Sequence, residues 1–146
     1  MIDTTNINEA RRKIQELKKE NKEVIVKAQD EDFNRKILEN KDVHVLLSPE
    51  IHNRKDKLKE RDSGLNEVLC DIAAKNKIKI GINIGELKDK EKKEKAIIIS
   101  RIIQNIMLCR KSGAEIKLFG NFNQQDAFAF LQTLGASTQQ AKKAIS

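Results

Sequence analysis

Short apolar runs of strand length alternate with helical stripes along this chain, and that alternation leaves it few possible folds. Val24–Val26, Val43–Leu47, Ile78–Ile84 and Ile116–Phe119 read as strands. The third shows the pattern best, because Ile78, Ile80, Ile82 and Ile84 are spaced by Lys79, Gly81 and Asn83. Between the strands, apolar residues recur at the helical period. Residues 6–21 carry Ile7, Ala10, Ile14 and Leu17 on one face, and residues 31–39 turn Phe33, Ile37 and Leu38 inward behind an Asp30 N-cap. Residues 64–76 hold Leu65, Val68, Leu69, Ile72 and Ala73 at i, i+3, i+4, i+7 and i+8. A long helix lined by Ile98, Ile99, Ile102, Ile103, Ile106 and Met107 ends near Ser112-Gly113, where glycine suits the residue past a helix. Two closing helices occupy 124–134 and 138–145, the second opened by Ser137 or Thr138.

The order is a helix followed by four strand–helix units. It predicts parallel strands joined by right-handed crossovers, an α/β fold. A complete eight-unit barrel takes about 250 residues. A chain of 146 residues with four strands therefore predicts a partial barrel or a small open sheet, read as a single α/β domain over residues 1–146. The first strand would leave a pairing-competent edge at residues 23–28, so self-association or partner dependence is expected.

The second strand stops at Ser48-Pro49, and the next helix is expected to open at Asp62-Ser63-Gly64-Leu65. The connection is long for such a fold, and long ordered loops tend to be functional. It carries Arg54, Lys55, Lys57, Lys59 and Arg61 against Asp56 and Glu60, a net charge of +3 over residues 52–61. A solvated loop accounts for such a run. Phosphate contact also accounts for it, because the loop follows the carboxyl end of a parallel strand, where ligands bind in α/β sheets. Asp62-Ser63-Gly64 is read both as a helix cap and as a recognition element, since free N–H groups at a helix start attract phosphate. Arg101, Arg110, Lys111, Lys142 and Lys143 are further RNA-contact candidates. Lys88–Lys95 mixes Asp89, Glu91 and Glu94 with its lysines and reads as a solvated face.

Lysine and arginine number 29 against 22 acidic residues, a net charge of +7 that favours a polyanionic partner. Tyr and Trp are absent and there are five Phe, so base stacking on an aromatic platform is not expected. Contacts should be with phosphate and RNA shape. Cys70 and Cys109 sit in apolar helical patterns without a CxxC pair or a secretory signal, which points to a reducing, cytoplasmic interior. No apolar run approaches a membrane span, so no membrane partner is expected. His44 and His52 are the two histidines; a metal ion wants four to six ligands, and no such cluster is present. Ser48, Ser63 and Ser100 lack an activating base, and there is no glycine-rich phosphate loop. No catalytic residue is assigned.

Leu47-Ser48-Pro49-Glu50, Arg61-Asp62-Ser63-Gly64-Leu65-Asn66 and Val68-Leu69 resemble the protein component 3 family of archaeal ribonuclease P. Ile80–Leu87, Arg101–Lys111 and Ala141–Ala144 extend the resemblance from about residue 10 to the C-terminus. It implies a TIM-barrel-like α/β subunit that supports a catalytic RNA in removing the 5′ leader of precursor tRNA, together with protein component 2. Magnesium on the RNA would carry the chemistry, and this chain would bring no cofactor and would meet precursor tRNA only indirectly. Family members usually carry a further strand–helix–strand portion ahead of residue 10, so a shortened member is expected. Glu67 stands where histidine is common, and Gly120-Asn121-Phe122 replaces the usual Ser-Asp-Ala-like turn.

The primary expectation is a non-catalytic RNA-binding subunit of ribonuclease P. Its RNA-binding residues are Arg54, Lys55, Lys57, Lys59, Arg61, Ser63, Arg101, Arg110 and Lys111. A protein–protein adaptor and a degenerate barrel metallohydrolase are the alternatives.

Overall fold

Val26, Leu46, Ile80 and Ile116 stand in line across four strands, each in register with the next. The strands are β1 (Ile25–Lys27), β2 (Val45–Leu47), β3 (Lys79–Asn83) and β4 (Ile116–Phe119), all parallel and paired in chain order. The computed structural model describes residues 1–56 and 61–146. Helices α1 (Ile7–Lys19), α2 (Glu31–Leu38), α3 (Glu67–Lys75) and α4 (Lys92–Ser112) alternate with the strands, and α5 (Gln124–Thr133) and α6 (Thr138–Ile145) close the chain. Sequential order with crossovers of one hand is the winding of a barrel segment, and it lays successive helices on one face of the sheet.

The core lies between that face and the helices. The Val26 row joins one buried cluster with Ile14, Ile37, Leu69, Ile102 and Ile106. Complete burial of one such side chain contributes about 2 kcal/mol. Side chains alternate along a strand, so Lys27, Leu47, Gly81 and Lys117 form the next row on the opposite face. A Cβ on Gly81 would lie 2.9 Å from side-chain carbons of both Val45 and Leu47. Glycine there lets those side chains and Phe119 close over the sheet. Two ion pairs strap that face, Lys117 to Glu23 at 3.0 Å and Lys27 to Glu86 at 3.7 Å.

Local chemistry sets most helix ends. Asp30 accepts the Phe33 N–H at the start of α2, and Ser137 with Gln140 forms a capping box on α6. Gly113 ends α4 at φ 86°. Two expectations need correction. The edge of β1 is not open, because Ile2 donates to the Ile25 carbonyl and accepts from the Lys27 N–H, each at 2.8 Å. A single residue carries no strand pattern, so this pairing left no trace in the periodicity. Helix α3 starts at Glu67 rather than near Asp62, with Asn66 as its cap at 2.9 Å from the Leu69 N–H.

Candidate nucleic-acid interface

The carboxyl ends of β1, β2 and β3 share one edge of the sheet, and the connection after β2 lies there. It leaves the strand through Ser48, a non-glycine residue at φ 55°. Pro49 then runs against Gly64, whose φ is 82°. A Cβ on Gly64 would meet the Pro49 carbonyl oxygen at 2.0 Å, so no larger residue fits.

Arg101 holds this connection together. It lies on α4, is only 5% exposed, and spends its guanidinium on the loop. Nη1 donates to the carbonyls of Glu50 and His52 at 3.1 and 3.2 Å. Nη2 donates to the carbonyl of Arg54 at 3.2 Å, and Nε to Asp56 at 3.3 Å. Three and four residues further along the helix, amides take over. Gln104 donates to the Arg61 carbonyl at 3.0 Å, and Asn105 donates to the Ser63 carbonyl at 3.0 Å. Arg101, Gln104 and Asn105 stand at i, i+3 and i+4, one turn of a single face. They interrupt the apolar middle of α4, from Ala96 to Cys109, which is the signal that could have identified them from sequence.

The loop's own side chains complete the frame. Asp56 accepts from Arg61, from Arg101 and from the Asp62 N–H. Partial burial works to raise the Asp56 carboxyl, but those three donors outweigh it and hold it below the usual range. Asp62 accepts from Arg54 at 3.1 Å and from the Gly64 N–H, so it caps a turn rather than the helix. His52 takes the Arg54 N–H on Nδ1 and faces the Asp62 carbonyl with Nε2, the pattern of a neutral ring. Burial and the two nearby arginines lower its pKa.

Beneath the loop, Glu50 is 1% exposed, and its Oε2 has no hydrogen-bond partner. Burial, with Glu86 nearby, pushes this carboxyl up to about 7 against the pull of Lys27 and Arg101.

Two grooves flank the connection. One, of about 540 Å³, runs between residues 51–56 and the start of α4. Its lining carries Arg54, Lys55, Lys90 and Arg101 against Asp56 and Glu94, an excess of two cations. The other, of about 630 Å³, lies over the starts of α2 and α3. Asp30, Glu31, Asp32, Asp62 and Glu67 oppose only Arg54 and Arg61 there, an excess of three carboxylates.

No family model matches the chain. Ribonuclease P protein component 3 of Methanococcus vannielii is 27% identical over 139 residues, which cover 90% of this chain and 57% of that protein. The protein of the same name from Methanosarcina acetivorans is 29% identical over 130 residues, covering 84% of this chain and 51% of that one. A chain in the cryo-EM structure of archaeal ribonuclease P with mature tRNA superposes at a TM-score of 0.80 with 25% identity, covering 98% of this chain and 62% of that chain. Over most of its length the chain is similar to archaeal ribonuclease P protein component 3. It spans a little over half the length of the component 3 relatives it matches. The agreement in fold bears out the partial-barrel α/β reading.

The residues expected to bind RNA fall into separate places in the folded chain. Arg54, Lys55 and Arg61 lie on the connection, while Lys57 and Lys59 lie outside the described residues. Ser63 is fully buried, donating to the Leu65 carbonyl and accepting from Gln104. Arg101 is buried and engaged with the loop backbone. Arg110 and Lys111 sit more than two turns beyond Arg101 on α4, roughly 14 Å by helical rise. Arg110 donates to the Gly135 carbonyl at 2.8 Å, and Lys111 pairs with Glu67 at 2.6 Å. Lys143 pairs with Glu115 at 3.4 Å, near β4. His44 accepts the Val24 N–H at 2.8 Å, the structural role expected of it. Among the described residues, no group of three or more His, Cys, Asp or Glu side chains is placed to hold a metal ion. No helix there is long and apolar enough to cross a membrane.

Proposed function

We propose that this chain is a protein subunit of ribonuclease P that supports the RNA-catalysed removal of the 5′ leader from precursor tRNA. Its likeness to component 3 proteins over nine tenths of its length carries this reading. The geometry supports it: at the working edge of a parallel sheet, the described parts of the loop are bonded through their backbone to α4 and carry exposed cations. Arg101 ties residues 50–56 to α4 before any ligand arrives, so RNA binding need not order that part of the loop. Within the loop, Arg54, Lys55 and Arg61 meet RNA phosphates, with Lys57 and Lys59 as further candidates. Arg101 and Ser63 act from beneath as positioning residues.

The chain supplies no catalytic group in this reading. Magnesium held by the RNA provides the chemistry, protein component 2 is the protein partner, and the cytoplasm is the compartment. Reconstitution tests it. The catalytic RNA and component 2, with and without this chain, are assayed for 5′-leader removal from precursor tRNA at limiting magnesium. Faster cleavage with the chain supports the reading. Unchanged cleavage, with no RNA retained by the chain at physiological salt, replaces it with a protein–protein adaptor.

A further inference from the structure

The lysine-rich segment before and at the start of α4 reads from sequence as a solvated face, because three carboxylates are mixed into it. The tertiary structure puts it beside the strand-end loop. Lys55 lines this groove from the loop and Lys90 from the segment before α4, and Ile51, Ile97 and Ile98 line it as well. Lys93 is exposed and lies one helical turn before Ile97, on the same side of α4. Lys88 and Lys92 of the same segment are exposed as well.

The carboxylates of this groove are already engaged. Asp56 is bonded to Arg61 and to buried Arg101. Glu94 faces Lys90 at 3.8 Å in a half-exposed i, i+4 pair, an arrangement that water and competing anions disrupt easily. The lining holds no Phe, Tyr or Trp, and its imidazole, His52, is held in the loop by bonds to Arg54 and Asp62, so no free ring is offered to a base. Cations from both segments together with aliphatic carbon suit a sugar–phosphate backbone rather than base edges.

We propose that this groove is a second phosphate track, in which Lys90 and Lys93 of the α4 start grip an RNA backbone together with Lys55 of the loop. The proposal rests on the RNA-binding reading above and extends it beyond the loop. The acidic groove on the far side of the loop sets the polarity, because it repels the same backbone and leaves one side open to it.

The test is a salt titration of the intact chain binding an in-vitro transcribed archaeal ribonuclease P RNA, with polyglutamate as a second probe. Each phosphate contact contributes roughly 0.7–0.9 to the slope of log affinity against log salt. The double variant Lys90→Ala/Lys93→Ala should therefore lose roughly 1.5 of the wild-type slope and bind severalfold more weakly at low salt. Lys90→Arg/Lys93→Arg should restore both, and thermal melts should match the wild type, since neither lysine is buried. A full slope in the alanine variant, alongside a reduced slope in Lys55→Ala/Arg61→Ala, overturns the second track and leaves the loop reading intact. Polyglutamate binding that equals RNA binding and falls with it in the alanine variant assigns the groove to an acidic polypeptide and overturns the track. A wild-type chain that retains no RNA overturns the RNA-binding reading together with this proposal.

Discussion

The two grooves beside the strand-end loop are similar in size and opposite in charge, though they share Arg54. The basic one takes its cations from the loop and from a segment more than thirty residues away that folds against it. The acidic one takes Asp62 from the loop and its other carboxylates from the starts of α2 and α3, where acidic side chains favour the helix dipole. Asp30 and Glu67 are there for local reasons: one caps its own helix and the other occupies a first turn. The contrast teaches that helix starts tend to make a sheet edge acidic. A cationic surface at such an edge has to be assembled from a loop and a distant segment, and something rigid must hold the two together.

In this chain that element is Arg101, and removing it should break the contrast most severely. Arg101→Met would leave the carbonyls of Glu50, His52 and Arg54 without this donor and take one of three donors from Asp56. Equilibrium unfolding in urea should show a loss of about 3–5 kcal/mol. Arg101→Lys should recover little of it, because an ammonium lacks the planar fork that reaches several carbonyls at once. Recovery of full stability by lysine would show that charge, not geometry, fixes the loop.

Glu50, beneath the same loop, gives an effect of opposite sign that depends on pH. Its carboxyl is raised from 4.5 to about 7 by burial, so the folded state disfavours the ionised form. The contribution of this group to stability is therefore complete below pH 4.5 and declines as pH rises towards 7, after which the deficit is constant. Glu50→Gln should accordingly stabilise the protein on the order of 3 kcal/mol at pH 8 and leave it unchanged near pH 4. Paired urea melts at the two pH values measure this, and equal effects at both would mean that the carboxyl is not titrating.

A smaller loss is expected on the acidic side. Gly64→Ala forces a Cβ into the Pro49 carbonyl at a positive φ, and the turn has to shift to admit it. A loss of about 2 kcal/mol is expected by thermal melting. Because Pro49 and Gly64 bracket the loop, RNA affinity should drop with it. Retained affinity would show that the basic groove is independent of this turn.

The smallest effect should come from Lys111→Ala. Lys111 and Glu67 are both exposed, and each holds its partner in the charged form, so the pair contributes little to folding. Neither stability nor the RNA salt slope should move detectably. A slope as reduced as that of the loop variants would add this end of α4 to the interface.

Much of the architecture was legible in the residue order. Helix periodicity, the Asp30 and Ser137 caps and Gly113 at the end of α4 are local signals that act within one turn, and the structure follows them. The errors share a different cause. Ile2 pairs with β1 through a single residue, too little to show a period of two. The start of α3 moved from Asp62 to Asn66 because Asp62 is drawn into the Arg54 and Gly64 contacts, a competition that involves the folded loop. Arg101 counted as a surface cation by type, and only its contacts with four loop residues reveal it as an internal strut.

From sequence alone, then, came the parallel α/β plan, the placement of a cationic loop at the carboxyl edge of the sheet, and the resemblance to component 3 through the Pro49-Glu50 and Ser63-Gly64 segments. These follow from short-range spacing and from residue identity. Tertiary structure decided which cations face solvent, which are consumed by backbone carbonyls, and which distant lysines stand beside the loop. Side-chain charge is a property of the residue, but its availability depends on which neighbours folding brings within hydrogen-bond reach.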